Sequence, residues 1–315
     1  MNAPRLILVG GPGGAGSSTT AAALADILAA SGAKVVVAAA DSQFGAGALT
    51  GPDVQIWESG GAGGDRLAAA LDGIGLDARL ADLVAAAGDR SLLPLFTALP
   101  QLAGQTDHIV VDAGAAIAGL ALAARSSGLA AGRVATLQRG WLRASRPVAA
   151  LALDGLWPGA DLLRRVPALQ QTAAEVDDLL TADCVALLVP GGSPQGPAKA
   201  DRLAAGLSLA QVPAVTLVED ADPIELLAAP RTPAEVSITE TGDAITWRMP
   251  LPHIDFRGLT VDRDGDLLTL RAYGWHRVLV LPSALRRHHP SRARLAQGIL
   301  EVTFRAARAA ADEES

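Results

Sequence analysis

The chain has 315 residues, half of them hydrophobic but only 3% aromatic, with a formal net charge of −7 and a single cysteine, Cys184. That is enough for two domains with a core of Ala, Leu and Val; one cysteine excludes an internal disulfide or a cysteine metal cage, and the negative balance argues against nucleic acid as the main ligand. The opening apolar run is too short for a signal peptide and no stretch of about 18 uninterrupted apolar residues follows, so no integral membrane segment and a cytoplasmic location are expected.

Arg5–Gly10 reads as a buried strand running into a glycine-rich turn, Ser17–Ser31 as a helix and Lys34–Ala40 as a second apolar strand. Strand, glycine-rich turn, helix, strand is the opening of a parallel α/β sheet. Residues 53–57 are a third strand candidate and Ser59–Gly64 a loop; 65–103 is helical in pattern, broken at Gly88, Pro94 and Pro100. His108–Val111 is a strand running into Asp112, followed by Ala/Leu-rich helical segments at 115–131 and 145–180. Val185–Val189 (strand), Pro197–Leu209 (helix) and Ala214–Val218 (strand) complete the alternation, and Cys184 is expected in the core.

From residue 235 the period changes to two: 236–239, 244–248, 267–271, 277–281 and 299–304 alternate, separated by Gly242-Asp243, Asp264-Gly265 and Gln297-Gly298. Short strands at this spacing predict a small antiparallel sandwich. Pro223–Pro233 reads as the linker. Charge divides at the same place: residues 1–230 hold 14 basic and 22 acidic groups, 231–315 hold 12 and 11. The expected division is 1–228, 234–306 and a short tail at 307–315.

The turn Gly11-Pro12-Gly13-Gly14-Ala15-Gly16-Ser17-Ser18-Thr19 lies between strand and helix, the frame of a phosphate-binding loop. Successive amide N–H groups and a helix N-terminus cradle an anion there. Gly11, Gly16 and Ser18 fit the pattern G-x-x-x-x-G-K-[ST], but Ser17 holds the lysine position. With Asp41 after the second strand and Asp112 after the later one, the region resembles the ArsA/Get3 family of ATPases, which belong with the MinD and ParA proteins. The family loop carries two lysines, one acting in cis and one across a dimer; Pro12 and Ser17 stand at those positions here. Only two of the 26 basic residues are lysines, Lys34 and Lys199, and neither lies in the loop. The later family asparagine that reads the base is replaced by Glu219-Asp220.

By this resemblance Gly11, Gly13, Gly14, Ala15, Gly16, Ser17, Ser18 and Thr19 would bind ATP or ADP, with Ser18 on Mg²⁺. Asp41 would be switch I-like and Asp112 switch II or Walker B-like. Losing the loop lysine removes a cation that stabilises transferring phosphoryl charge. On the residues alone, the turn equally reads as a tight connection with Ser17 as helix N-cap. The family's helical subdomain, an apolar groove for hydrophobic helices, would fall at about 65–103 and 115–180; the same helices also read simply as bundle core.

Trp247-Arg-Met-Pro-Leu-Pro252, Asp255, Leu259 to Arg271, Arg277 to Leu285 and Ala293 to Phe304 occur in order. This succession resembles the small heat-shock (HSP20, α-crystallin-type) domain fused to some ArsA/Get3-like proteins. Asp262-Arg-Asp264-Gly-Asp266 starts like a calcium loop, but Tyr273 stands where the bidentate Glu belongs, so a hairpin turn is expected. His288-His289, among arginines, reads as a surface loop.

The expected fold is an α/β P-loop NTPase-like parallel sheet with a helical subdomain, followed by a small all-β HSP20-like sandwich. The function expected is that of a non-hydrolysing chaperone-like or adaptor subunit. It would form a homodimer, or a heterodimer with an active ArsA/Get3-like paralogue, and take a hydrophobic protein client. The alternatives are a slow ATPase that uses an arginine for the missing cation, and a MinD/ParA-like positioning protein.

Overall fold

The computed structural model describes residues 5–39, 49–58, 93–125, 160–218, 221–228, 236–242 and 244–306. Asp41, Glu219, Asp220 and most of 65–103 and 115–180 lie outside them, so the calls on those residues are not addressed.

Six parallel strands form one sheet: β1 (Leu6–Gly10), β2 (Val35–Ala39), β3 (Gln55–Glu58), β4 (His108–Gly114), β5 (Cys184–Leu188) and β6 (Ala214–Thr216), in the order β3-β2-β4-β1-β5-β6. β1, β2 and β5 are buried at every residue, as continuous apolar runs covered on both faces should be. Side chains alternate between faces. Ile7, Val9, Val37 and Leu187 meet α1 (Ser17–Ala30) in one cluster, while Leu6, Leu8, Ala38 and Leu188 belong to a second cluster on the other face. Cys184 opens β5 and is buried.

The second face carries α2 (Leu93–Gln105), α3 (running through 117–125), α4 (Ala160–Ala182) and α5 (Gly196–Leu209). α2 continues through Pro100, where the sequence predicted a break. Proline removes one backbone bond, but Leu95, Leu99 and Ala103 bury one stripe of the helix, and tertiary packing outweighs the loss. The expected linker contains a short helix, α6 (Pro223–Ala228), anchored by buried Leu227 and started by the Asp222 carboxylate accepting from the Ile224 N–H.

The rest is an antiparallel β-sandwich. One sheet is β9 (Leu259–Asp264), β10 (Leu267–Ala272) and β11 (Trp275–Val280), ordered β11-β10-β9. The other is β7 (Ser237–Thr241), β8 (Ala244–Pro250), β12 (His288–Ala296) and β13 (Ile299–Ala306), ordered β12-β13-β8-β7. The expected Asp264-Gly265 turn is a hairpin: Asp264 pairs with Leu267 and Gly265 has φ +56°. Gln297 and Gly298, at φ +52° and +70°, make a two-residue loop with both central residues left-handed, the geometry that follows the twist of the flanking strands.

A further expectation is corrected. His288-His289 and the arginines after them are not a loop but the edge strand β12. No residue of β12 is buried and the six from His289 to Arg294 are all exposed, so it lacks the period-two alternation that betrays a half-buried strand, and its Pro290 is tolerated at an edge where the register shifts.

The hydrophobic core does not stop at the linker. The cluster beneath the second face of the parallel sheet continues without a break into Trp247, Met249, Leu268, Leu270, Leu300 and Phe304 of the sandwich. α5 is the shared element: Leu203 through Ala210 are all buried, which no one-sided amphipathic helix would be.

Candidate functional site: the glycine-rich loop and the sandwich docked behind it

The loop leaves the carboxyl end of β1, the edge where ligands bind in open α/β sheets. Its first two glycines are steric requirements. A Cβ on Gly10 would lie 2.4 Å from the Gly114 carbonyl oxygen, and one on Gly11 would lie 2.0 Å from that of Val189. The Gly11 N–H donates to Gly114 O (3.1 Å) and the Val189 N–H to Gly10 O (2.8 Å), locking the loop base between the ends of β4 and β5. A tight turn follows, with the Ala15 N–H donating to Pro12 O at 3.0 Å. Gly14 and Gly16 adopt φ +77° and +87°, which only glycine takes without strain.

α1 starts at Ser17, and its cap is Gly16, with no side chain closing the first turn. Ser17 is therefore the first helical residue, not the N-cap expected from sequence. The Thr20 hydroxyl turns back to donate to Gly16 O (3.1 Å). Gly13, Gly14, Gly16 and Thr19 are exposed, Ala15, Ser17 and Ser18 half-buried, and Pro12 is buried. Asp112, 7% exposed, lies in β4 opposite Val9 and Ala39. The structure thus brings Gly11–Thr19 and Asp112 to one edge of the sheet. Lys34 precedes β2 at the opposite edge; Lys199 is exposed near the start of α5, on the loop's edge. Among the described residues no group of three or more His, Cys, Asp or Glu could hold a metal ion.

The sandwich docks through β11. The Trp275 indole N–H donates to Arg202 O (2.8 Å), and its ring fills the space over Gly206, where a Cβ would come within 3.0 Å of it. Arg277 donates to Leu209 O, and the Gln211 side-chain amide to Ser208 O and Pro250 O. Arg125 of α3 donates to Ala210 O, to the Asp177 carboxylate and to the Thr181 hydroxyl. Burial, and then the neighbouring Arg125, lower the Arg277 pKa to about 10, with Asp177 opposing. Sequence reading missed this junction. Its one signal was an arginine bordering each of two apolar runs, Arg125 after Ala121–Ala124 and Arg277 before Val278–Leu281.

Beside the junction an open cleft of about 430 Å³ is lined by Asp201, Arg202, His253, Asp255 and Tyr273. Tyr273, the chain's single tyrosine, sits at φ +50° in the β10–β11 turn and donates to the Asp255 carboxylate (3.0 Å). Burial lowers the His253 pKa, with Asp201 acting against it.

A six-stranded parallel sheet flanked by helices, with a glycine-rich loop at its carboxyl edge, precedes an antiparallel sandwich; the sandwich is an HSP20-like domain. Residues 242–304 match the family described as the HSP20-like domain found in ArsA. Among solved structures, hspA from Xanthomonas axonopodis is 23% identical, covers 24% of this chain and 95% of its own, and has a TM-score of 0.20. HSP18.5 from E. histolytica is 14% identical over 24% of this chain and 91% of its own (TM-score 0.20). Heat shock protein 16.0 from Schizosaccharomyces pombe is 14% identical over 28% and 83% (TM-score 0.19). No curated protein matches the sequence. No helix among the described residues is long and apolar enough to cross a membrane.

Proposed function

We propose that the chain is an ArsA-family protein whose ATPase-like part, residues 1–228, has lost hydrolysis and acts with its HSP20-like part, 234–306, as a chaperone-like or adaptor subunit. The observation that carries this reading is the chemistry of the loop. Its backbone keeps the shape of an anion cradle, with left-handed Gly14 and Gly16 ahead of α1, yet Pro12 and Ser17 occupy the two positions where the resembled family has lysines. The residue set fits a nucleotide only in part. Amides of Gly13, Gly14, Gly16, Ser17 and Ser18 would meet phosphate oxygens, and the Ser18 hydroxyl and Asp112 carboxylate would hold Mg²⁺. The loop itself offers no cation to the γ-phosphate.

Stabilising developing phosphoryl charge is what such a cation does, and its loss in comparable sites costs orders of magnitude in turnover. Pairing with a lysine-bearing paralogue would supply the missing charge across a dimer, and an apolar protein client is the cargo in keeping with the HSP20-like part. The test is ATP turnover by the purified chain with Mg²⁺, read as phosphate release. The expected result is no turnover above buffer; turnover that Asp41→Asn abolishes would overturn the proposal.

A further inference from the structure

One side chain of the sandwich stands between the two helices that hold the glycine-rich loop. Trp275 lies over Gly206 of α5 and 3.9 Å from a Cβ placed on Gly119 of α3. The helices touch at the same point, since a Cβ on Gly206 would sit 2.7 Å from the Ala118 Cβ. Three small residues, Ala118, Gly119 and Gly206, thus make the seat for the indole, and its N–H is tied to Arg202 O.

Each helix continues to the loop without slack. At the head of α3, Gly114 accepts from the Gly11 N–H, and a Cβ on Gly10 would meet both Gly114 O at 2.4 Å and the Ile117 Cβ at 2.7 Å. Ahead of α5, Gly191 (φ +71°) lies so close to the loop that a Cβ on it would be 2.9 Å from the Ala15 Cα. One contact line reaches the start of the loop and the other its middle. Backbones packed too closely to admit a Cβ leave little room for local compression, so a shift of either helix is passed on.

We propose that Trp275 is a positioning residue for the glycine-rich loop: seating of the indole between α3 and α5 fixes the placement of residues 11–16, and unseating it loosens them. The sandwich is then a brace on the loop, and any partner that pulls β11 away from α5 would act on the loop from behind. This coupling does not require that the loop hold a nucleotide.

The test is amide hydrogen exchange on the full chain, comparing Trp275→Ala with Phe304→Ala. Phe304 is fully buried in the other sheet of the sandwich, paired with Ile245, so its truncation weakens the sandwich from the side away from the indole's seat. At matched loss of melting temperature, exchange in 10–19 and 189–196 is expected to be at least about threefold faster in Trp275→Ala than in Phe304→Ala. Trp275→Phe, which keeps a ring but loses the N–H, should show the same pattern more weakly, and it carries the comparison if the alanine variant does not fold. Acceleration confined to 202–209 and 272–278, or equal acceleration of the loop by Phe304→Ala, overturns the proposal.

Discussion

Arg125 and Arg277 reach adjacent carbonyls of the same helix end: Arg125 donates to Ala210 O at 2.8 Å and Arg277 to Leu209 O at 2.5 Å. Two cations at the carboxyl terminus of α5 answer its partial negative charge and its unpaired carbonyls. Burial first, and then their mutual repulsion, lowers the pKa of Arg277.

Arg125 holds more of this junction than Arg277 does. Its side chain is 6% exposed and it binds Asp177 and Thr181 as well as the helix end. Arg125→Met should therefore cost about 3 kcal/mol, as breaking a buried charged network does. Arg277→Met loses one carbonyl partner but relieves the repulsion, and should cost about 1 kcal/mol. Chemical denaturation of both variants checks the order. For Arg277 a pKa lowered to about 10 in the fold, below its unfolded value, makes its charge a constant cost below about pH 10, relieved only above it. The difference between wild type and Arg277→Met should accordingly not change between about pH 6 and about pH 9.

Glu301 of β13 gives a pH dependence of the opposite kind. It accepts from Arg294 (2.7 Å) and Arg248 (2.9 Å), and the Arg294 bond foremost holds its carboxyl below the usual glutamate range. A carboxyl depressed in the fold contributes stability that is present above its unfolded pKa and lost as pH falls through the folded one. Between about pH 6 and about pH 3 the melting temperature of the wild type should fall further than that of Glu301→Gln.

Glycine in a helix interior ordinarily costs up to about 1 kcal/mol relative to alanine. Gly104, exposed in α2 with open space around its Cβ position, should follow that rule, and Gly104→Ala should stabilise by about 0.5 kcal/mol. Gly206 should reverse it. The added methyl would meet the Ala118 Cβ at 2.7 Å and the Trp275 ring at 3.0 Å, so Gly206→Ala should destabilise by about 2 kcal/mol. Thermal melts of the pair measure the contrast.

Ser17→Lys should restore a cation at the first residue of α1. Because the backbone cradle is already shaped by Gly14 and Gly16, the affinity for ATP–Mg²⁺ should rise at least about tenfold. A fluorescence titration against wild type decides it; an unchanged affinity would mean that the cradle is closed to phosphate.

The parallel sheet was legible because its strands are continuous apolar runs with punctuation between them: Leu6–Val9, Val35–Ala39 and Val185–Leu188 could not be exposed on either face. The sandwich was legible through its alternation in β8 and β10. β12 was not, since an exposed edge strand rich in arginine has no hydrophobic period to read. The Tyr273-Gly274 turn was also missed, because a tyrosine at φ +50° is not a turn signal; it is held there by the Asp255 carboxylate and by its ring packed over Gly258.

Composition and order along the chain were enough to establish a parallel α/β part, then a small antiparallel sandwich, and a glycine-rich loop between a strand and a helix. Those are local properties, carried by runs, periods and spacings within a few tens of residues. That the two parts share one core, that the second half of α5 is buried on all sides, and that Trp275 and Arg277 close on it were decided only by the tertiary structure. A glycine at 206 and a tryptophan at 275 mean nothing separately; they become a seat and its occupant when β11 is laid against α5, a pairing between residues 69 apart that no local pattern encodes.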